Sequence, residues 1–413
     1  MKSGRALALA CLERWRNGAE FADKTVAEIF SRSSLRTADR AFALELFYGV
    51  LRNLSLLDFW IGQLRPASLD PGARDLLRLG IYQILVIETA AHAAVYETVA
   101  LAHPRARALI NAILRRALRE KDALTSLAGA QPPAVRFSLP EFLFSKWSTQ
   151  FGEEAALELA AWNNRPPPIY ARINQLRMTP ADFLKQHRGS FLLSGRTNFV
   201  GLPDPTLALR NGDCYVQDPS TAIACELLRP APGENVLDAC AAPGGKGAYL
   251  AEMMQNEGRI VLVDYNESRL SRLRENLVRL GLTNASTLFC DWADGASVQA
   301  SGLEKGSFDK ILIDAPCTNT GVIRRRVDVR WRLQPGDFFR MPRQQLVILE
   351  AVAPLLKPGG SLVYSTCSLE PEENEAVVAA FLQQHPPFRQ TTEQTSLPVR
   401  DGFDGAYAAR LEL

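Results

Sequence analysis

The sequence predicts a multidomain protein in which an all-α N-terminal domain and a small α+β module precede a C-terminal α/β domain. Up to about residue 125, apolar residues recur at three- and four-residue spacing, which is typical of amphipathic helices. From about residue 216 onward, short apolar runs alternate with helical patterns, which indicates a parallel, doubly wound sheet. The predicted domains are residues 1–130, 134–215 and 216–413.

The N-terminal domain is predicted from helical segments such as 39–52 and 73–85, in which apolar residues share one face. Pro71 lies just before the second segment, where proline is tolerated. Residues 1–130 hold 18 Lys and Arg against 13 Asp and Glu, and this basic excess fits a polyanionic partner. The run Gln131-Pro-Pro133 marks the end of the domain.

The two remaining regions differ in their strand patterns. In the middle module, residues 169–174 follow a proline run and alternate like an edge strand. The C-terminal domain contains apolar runs that read as buried parallel strands, with helices such as 267–280 and 343–356 between them. The predicted strands are residues 235–240, 259–264, 286–290, 309–314 and 360–366.

Composition excludes several classes of protein. No apolar stretch is long enough to span a bilayer, and the first residues lack the pattern of a secretion signal. The seven cysteines show no Cys-x-x-Cys spacing, and the four histidines lie far from them, which argues against a metal site and a disulfide framework. We therefore expect a cytoplasmic protein without a metal or membrane partner, and a monomer.

Two cysteines are the strongest candidates for chemistry. Cys317 follows the predicted strand that ends at Asp314, and Cys367 follows the strand that ends near Ser365. Ligands of open α/β sheets bind beyond the carboxyl ends of the strands, so both thiols should face one pocket. Buried structural cysteines are the alternative, but the flanking Pro, Ser and Thr residues favour a nucleophile and a partner. The spacing leaves open which thiol attacks.

A glycine loop and two acids predict a cofactor site. Residues 238–246 run from a strand through Pro243-Gly-Gly245 into a helix, without the patterns of a dinucleotide or phosphate loop. Asp264 ends the second strand, where it suits ribose hydroxyls, and Asp291 follows the third, where it suits an adenine amino group. Asp264 could instead cap the next helix. Together these features describe an adenosyl ligand without phosphates, and S-adenosylmethionine fits this description.

An arginine-rich run follows Cys317. Residues 324–332 hold five arginines and one tryptophan, which suit phosphate contacts and a stacking surface for a splayed base. We expect Arg324, Arg325, Arg330 and Trp331 to contact RNA. A solvated charge run is the alternative.

Together these motifs resemble the bacterial Sun/Fmu-type RNA cytosine-5 methyltransferases, which modify a cytosine in 16S ribosomal RNA. The residues that carry the resemblance are Asp238-Ala-Cys-Ala-Ala-Pro-Gly-Gly-Lys246, Asp314-Ala-Pro-Cys317 and Thr366-Cys-Ser368. Segments 45–52, 79–83, 92–97 and 111–116 are similar to the NusB-like RNA-binding domain of that subgroup. The resemblance implies a Rossmann-like methyltransferase domain, S-adenosylmethionine, and an unstacked cytosine of 16S rRNA as the substrate.

Site residues carry over by position in these motifs. The resemblance makes Cys367 the nucleophile and Cys317 the release cysteine. Residue chemistry adds Asp314, which could hydrogen-bond the N3 edge of the cytosine, and Lys246, which could hold acids in place or lower the pKa of a thiol, to the catalytic set. For Lys246 a salt bridge to Asp238 is an equal alternative. Arg172 and Asn174 fall in an RNA-binding element of the family. The cofactor contacts are Cys240, Ala241, Ala242, Pro243, Gly244, Gly245, Lys246, Asp264, Asp291 and Asp314.

Three positions depart from the family pattern. Gly247 stands where Thr is usual, Thr318-Asn319 replaces Ser-Gly, and Tyr96 replaces Asn.

Other functions fit the sequence less well. A zinc deaminase needs Pro-Cys-x-x-Cys, which is absent after Pro316, an amino-group methyltransferase needs no thiol pair, and an assembly factor without activity needs no intact site.

Overall fold

The computed structural model describes residues 3–413, which form two compact units. The first unit comprises the chain up to Pro166 together with Ile323–Arg332. The second comprises Pro167–Val322 and Leu333–Leu413. Helices between residues 133 and 163, which the sequence placed mostly in the middle module, lie in the first unit. No helix within residues 3–413 is long and apolar enough to cross a membrane.

The α-helices and strands follow one another along the described chain. The helices are α1 (Gly4–Asn17), α2 (Ala22–Ser31), α3 (Thr37–Arg52), α4 (Leu54–Leu64), α5 (Pro71–Leu85), α6 (Ala91–Leu101), α7 (Arg107–Arg119), α8 (Lys121–Gly129), α9 (Pro133–Arg136), α10 (Glu141–Phe151), α11 (Glu153–Asn163), α12 (Pro180–Gln186), α13 (Thr206–Asn211), α14 (Ala222–Leu228), α15 (Gly245–Met253), α16 (Glu267–Leu280), α17 (Gly295–Ala300), α18 (Val329–Arg332), α19 (Asp337–Val352), α20 (Glu375–Gln384) and α21 (Pro398–Asp401). The strands are β1 (Tyr170–Ile173), β2 (Phe191–Leu193), β3 (Arg196–Gly201), β4 (Cys214–Val216), β5 (Asn235–Asp238), β6 (Arg259–Asp264), β7 (Ala285–Phe289), β8 (Phe308–Asp314), β9 (Leu356–Thr366), β10 (Arg389–Ser396) and β11 (Ala406–Glu412).

The first unit is helical, as the apolar spacing predicts. Helices α3 and α5 contain the predicted segments 39–52 and 73–85. Helix α5 begins at Pro71, and the Asp70 carboxylate accepts a hydrogen bond from the Ala73 amide at 2.9 Å, which satisfies one of the free donors of the first turn. Most of its residues are buried, because it packs against α1, α3, α4, α6 and α7.

The second unit begins with a four-stranded antiparallel sheet in the order β2-β3-β1-β4. Strand β1 pairs with β3 on one side and with β4 on the other, so it is an inner strand. The prediction of an edge strand at residues 169–174 is therefore wrong. The proline run before it sets the entry of the chain and does not place the strand at an edge.

A seven-stranded sheet forms the body of the second unit, in the order β10-β11-β9-β8-β5-β6-β7. Strands β5 to β9 are parallel and include the five predicted strands, which confirms the α/β fold class. Strand β11 runs antiparallel between β9 and β10. The carboxyl ends of the parallel strands share one edge of the sheet, where Asp238, Asp264 and Asp314 are the last residues of their strands.

Candidate active site

The two thiols lie side by side. Strands β8 and β9 pair in parallel up to Asp314 opposite Ser365, and the Ala315 amide donates to the Ser365 carbonyl oxygen at 2.8 Å. Both strands therefore end at the same level, and the loops that follow place the sulfurs of Cys317 and Cys367 3.2 Å apart. Both residues are partly exposed. Hydrogen bonding to Cys367, together with burial, raises the pKa of the Cys317 thiol well above its ordinary value.

Lys246 forms an ion pair with Asp314. Its Nζ lies 2.6 Å from the Asp314 carboxylate, which also accepts a hydrogen bond from the Ser365 hydroxyl at 3.0 Å. Burial opposes the charge of Lys246, but the attraction of Asp314 is larger in sum, and the pKa of Lys246 is raised. The partner of Lys246 is thus Asp314, and the alternative of a salt bridge to Asp238 is wrong.

Asp238 is a buried carboxylate without a partner. Its side chain is fully buried at the end of β5, and neither oxygen has a hydrogen-bond partner among the described residues. Burial, followed by the nearby Asp314 carboxylate, raises the pKa of Asp238 to about 7. Gly247 has no hydroxyl to offer, and a Cβ at this position would lie 3.1 Å from Asp238 Oδ2 and 2.5 Å from Leu262. An unsatisfied acid at a strand end fits a ligand that brings a positive charge or a donor.

The glycine loop joins β5 to α15. Gly244 has a φ of +104°, a conformation open to glycine, and its amide donates to the Ala241 carbonyl oxygen at 2.7 Å. A Cβ at Gly244 would lie 2.4 Å from Leu273, so the close packing of α16 also requires glycine. The loop therefore leaves room for a ligand to approach the backbone, which is the condition that the predicted cofactor site needs.

Asp264 and Asp291 follow neighbouring strands. One Asp264 oxygen accepts from the Asn266 amide at 3.0 Å, and the other lies 3.5 Å from the partly exposed guanidinium of Arg269. Asn266 caps α16 through the Arg269 amide, so the alternative of Asp264 as the helix cap is wrong. Asp291 accepts from the Ala293 amide at 3.0 Å in a turn after β7. Both carboxylates retain acceptor capacity at the sheet edge.

A pocket opens beside Cys367. It lies between α14, α15 and the ends of β9 and β11. Lys246, Thr366, Cys367 and Tyr407 contribute to its wall. The nucleophile candidate and the ion-paired lysine therefore face the same space.

Comparison with known proteins identifies the relatives of this chain. A probable ribosomal RNA small subunit methyltransferase B of Bacillus subtilis is 33% identical to it over 97% of this chain and 94% of that protein. The chain belongs to the 16S rRNA methyltransferase RsmB/F family. The RsmB/F methyltransferase model matches residues 225–411, the NusB family model residues 2–119, and an RsmF/B-like ferredoxin-like domain model residues 139–188.

Two further comparisons agree with this family. The ribosomal RNA small subunit methyltransferase B of Citrobacter koseri is 36% identical over 90% of both proteins. The solved structure of PH0851 has the same fold, with a TM-score of 0.79 at 24% identity over 99% of this chain and 98% of that one. The resemblance drawn from the motifs is confirmed, and so is the order of a NusB domain before an α/β methyltransferase domain.

Glu373 is a site residue of this RsmB/F member that the sequence did not reveal. It is fully buried, and its carboxylate accepts from the Thr318 amide at 2.9 Å, the Ser368 hydroxyl at 2.7 Å and Gln345 Nε2 at 2.9 Å. The Thr318 hydroxyl also donates to it. Thr318 follows Cys317 and Ser368 follows Cys367, so one carboxylate ties the two cysteine loops together. In the sequence Glu373 stands in an acidic run and looks solvated.

The predicted RNA contacts Arg172 and Asn174 are corrected. Both side chains are fully buried within the second unit. The Arg172 guanidinium forms an ion pair with Glu252 on α15 and lies over the Tyr249 ring. Asn174 Nδ2 donates to the carbonyl oxygens of Gly212 at 3.0 Å and Leu280 at 2.9 Å. These side chains fasten the antiparallel sheet to the helices of the methyltransferase domain, and RNA does not reach them.

The arginine-rich run is also largely buried, in the helical unit. Arg330 is fully buried and donates to the carbonyl oxygens of Phe137, Ser138 and Asn163 at 2.8–3.1 Å. Arg324 is 8% exposed and stacks on the Trp162 ring. The prediction of RNA contact is wrong for these two residues, because both side chains are buried in the helical unit.

The remaining members of the run differ in exposure. Trp331 is partly buried and donates through Nε1 to the Leu51 carbonyl oxygen at 2.8 Å, so its polar edge is engaged within the helical unit. Arg325 is half-buried, and its contact with RNA stays a prediction. Val327 and Val329, which are both buried, interrupt the run of arginines. These two apolar residues were the sequence signal for burial of the run, and sequence reasoning missed it.

Proposed function

We propose that this protein transfers a methyl group from S-adenosylmethionine to C5 of an unstacked cytosine in 16S rRNA, through a covalent bond between Cys367 and C6. The observation that carries the proposal is the pair of sulfurs 3.2 Å apart at neighbouring strand ends. Membership of the RsmB/F family supports small-subunit rRNA as the substrate. The pocket beside Cys367 is where a flipped base would enter.

The cofactor site consists of the glycine loop and the acids at the strand ends. When bound, S-adenosylmethionine supplies an electrophilic methyl group. The backbone of residues 240–246 would hold its amino-acid part, Asp264 its ribose hydroxyls, and Asp291 its adenine amino group. The unpartnered Asp238 carboxylate supports this assignment, since the ligand carries an ammonium and a sulfonium charge that the buried acid would neutralise.

Covalent attack solves the chemical problem of the reaction. Cytosine C5 is a weak nucleophile, and addition of a thiolate to C6 saturates the 5,6 bond and gives C5 carbanion character. Lys246 lines the same pocket as Cys367, so a positive charge lies on the wall that the attacking sulfur shares. The Lys246–Asp314 pair carries a proton beside this pocket, and it would neutralise the charge that develops on the N3 edge of the base.

Cys317 is the partner in release. After methyl transfer the C5 proton must pass to solvent water before the thiolate of Cys367 is expelled. The Cys317 thiol, 3.2 Å from the Cys367 sulfur, is placed to donate a hydrogen bond to that sulfur as it leaves. The assignment of Cys367 as the nucleophile rests on its position in the family motif.

Trapping of the covalent intermediate tests the proposal. The Cys317→Ala enzyme should transfer labelled methyl to deproteinised small-subunit rRNA once and then remain bound, giving a protein–RNA band that survives denaturing electrophoresis. Cys367→Ala and the double variant should give no band and no transfer. A band from Cys367→Ala alone would reverse the roles of the two thiols, and absence of a band from every variant would refute covalent catalysis.

A further inference from the structure

Asn319 contacts both cysteine loops. Its backbone has a φ of +60°, a left-handed conformation that asparagine adopts more readily than most residues. Its Nδ2 donates to the carbonyl oxygen of Cys317 at 2.7 Å, and its Oδ1 accepts from the sulfur of Cys367 at 3.3 Å. Because the amide nitrogen is engaged by a carbonyl, the oxygen is the end that faces the thiol.

The position of this amide is fixed by the surrounding backbone. The preceding residue, Thr318, is held by Glu373 through its amide at 2.9 Å. The Val322 amide donates to the Asn319 carbonyl oxygen at 3.2 Å, and the Gly321 amide donates to the Cys367 carbonyl oxygen at 2.9 Å. The side-chain oxygen of Asn319 therefore meets the sulfur as part of an ordered loop.

The contact between the Asn319 oxygen and the Cys367 sulfur favours one protonation state of the sulfur. An amide oxygen accepts a hydrogen bond from a thiol, but it carries negative partial charge and repels a thiolate. We propose that Asn319 holds the sulfur of Cys367 in its protonated, unreactive form in the RNA-free enzyme, so that the nucleophile forms only when this contact breaks. The thiol proton then leaves to solvent water, and the Cys317 thiol, 3.2 Å away, donates to the new thiolate.

Charged groups from several elements lie near the two thiols. They are Lys246 on α15, its ion-pair partner Asp314, and the buried Glu373. Both substitutions of Asn319 used below also remove its hydrogen bond to the Cys317 carbonyl oxygen, so the contribution of the acceptor is read from the difference between the two variants. This inference rests on the proposed role of Cys367.

Alkylation of the RNA-free, full-length enzyme by iodoacetamide tests the proposal. The rate at Cys367, followed by peptide mass spectrometry from pH 6 to 10, reports the thiolate fraction. Asn319→Gly keeps the left-handed backbone and removes the acceptor, so the midpoint of the pH profile should fall by about one unit, a tenfold change in thiolate. Asn319→Asp places a carboxylate at the same atoms, so the midpoint should rise.

The opposite signs separate this effect from a loosened loop, which would shift both variants the same way. Asn256→Gly is the matched control, because Asn256 also has a left-handed φ of +62° and side-chain bonds to backbone, to Gly281 and Thr283, away from the thiols. Midpoints that stay unchanged, or that move together, would overturn the proposal. Alkylation needs no methyl transfer, so a failure of the proposed function would not be mistaken for a failure of this contact.

Discussion

The Glu373→Gln substitution should lower the rate of methyl transfer much more than it lowers the stability of the fold, because Glu373 positions the two cysteine loops. Glutamine has almost the shape of glutamate, so the substitution leaves no cavity. It replaces one of the two acceptor oxygens by an amide nitrogen. Oε2 accepts from the Thr318 amide and Gln345, and Oε1 accepts from the hydroxyls of Thr318 and Ser368. The loops that carry Cys317 and Cys367 would then share one acceptor oxygen instead of two.

The effect on stability is the difference between two terms. With the nitrogen at the Oε2 position the Thr318 amide loses its acceptor, which costs about 1–3 kcal/mol for a buried donor. The hydroxyls of Thr318 and Ser368 lie 3.2 Å apart and pair with each other, and Gln345 keeps its bond to the Pro316 carbonyl oxygen at 2.9 Å. Neutralising a buried carboxylate recovers desolvation energy of similar order. We expect a net loss of only about 1–2 kcal/mol.

Turnover should respond more strongly than stability. Misplacement of a reacting group by about 1 Å costs on the order of 100-fold in rate, so kcat should fall about 10- to 100-fold while KM for rRNA and for S-adenosylmethionine stays within about twofold. The assay is labelled methyl transfer at saturating substrates, with thermal unfolding measured in parallel. Glu375→Gln, an exposed acid two residues away, is the control and should leave both quantities nearly unchanged. An unchanged kcat in Glu373→Gln would refute the positioning role.

Three further outcomes follow from the structure. Asp264→Asn should weaken binding of S-adenosylmethionine by about 2 kcal/mol, measured by calorimetry, because the charged acceptor for two ribose hydroxyls is lost. RNA binding should stay intact. An unchanged affinity for S-adenosylmethionine would mean that Asp264 serves only the turn, through its contact with Asn266. Arg330→Gln should lower the stability of the helical unit by about 2 kcal/mol, because an amide cannot reach all the carbonyl oxygens that the guanidinium serves, whereas the salt dependence of RNA binding should not change; a shallower salt slope would show an RNA contact. Asp238 has a folded-state pKa of about 7, above its ordinary 3.8, so its contribution to stability is complete below about pH 4 and is lost as the pH rises through 7. Asp238→Asn should therefore flatten the dependence of the urea midpoint between pH 5 and 8, and a slope equal to that of the wild type would contradict the raised pKa.

Local patterns were sufficient to predict the strand ends of the site. Strand β8 contains the apolar run 311–313, and the residues that follow this run, Asp314 and Cys317, stand out against it. Because the carboxyl ends of parallel strands meet at one edge of the sheet, the fold class predicts which strand-end residues lie close together. Strand β10 was not predictable in this way, since six of its eight residues are exposed and show no apolar alternation.

Tertiary context decided the rest. Glu373 and Arg330 are charged residues in charged runs, and only the elements packed around them determine that both are fully buried. A run of arginines indicates a solvated or nucleic-acid surface when read by itself. Its burial depends on carbonyl groups from residues 137–163, more than 160 positions earlier in the chain, which no local pattern encodes.

The return of residues 323–332 to the helical unit has a consequence for the order in which the protein folds. The chain leaves this unit at Pro166 and re-enters it at Ile323, so ribosomal synthesis must proceed through β8 before the last piece of the unit exists. Until then the Trp15 indole and the Ala22 amide lack their acceptor, Asp328. The nascent helical unit therefore cannot be completed until a segment within the methyltransferase part of the chain has been synthesised. A chain truncated before residue 332 lacks part of the helical unit.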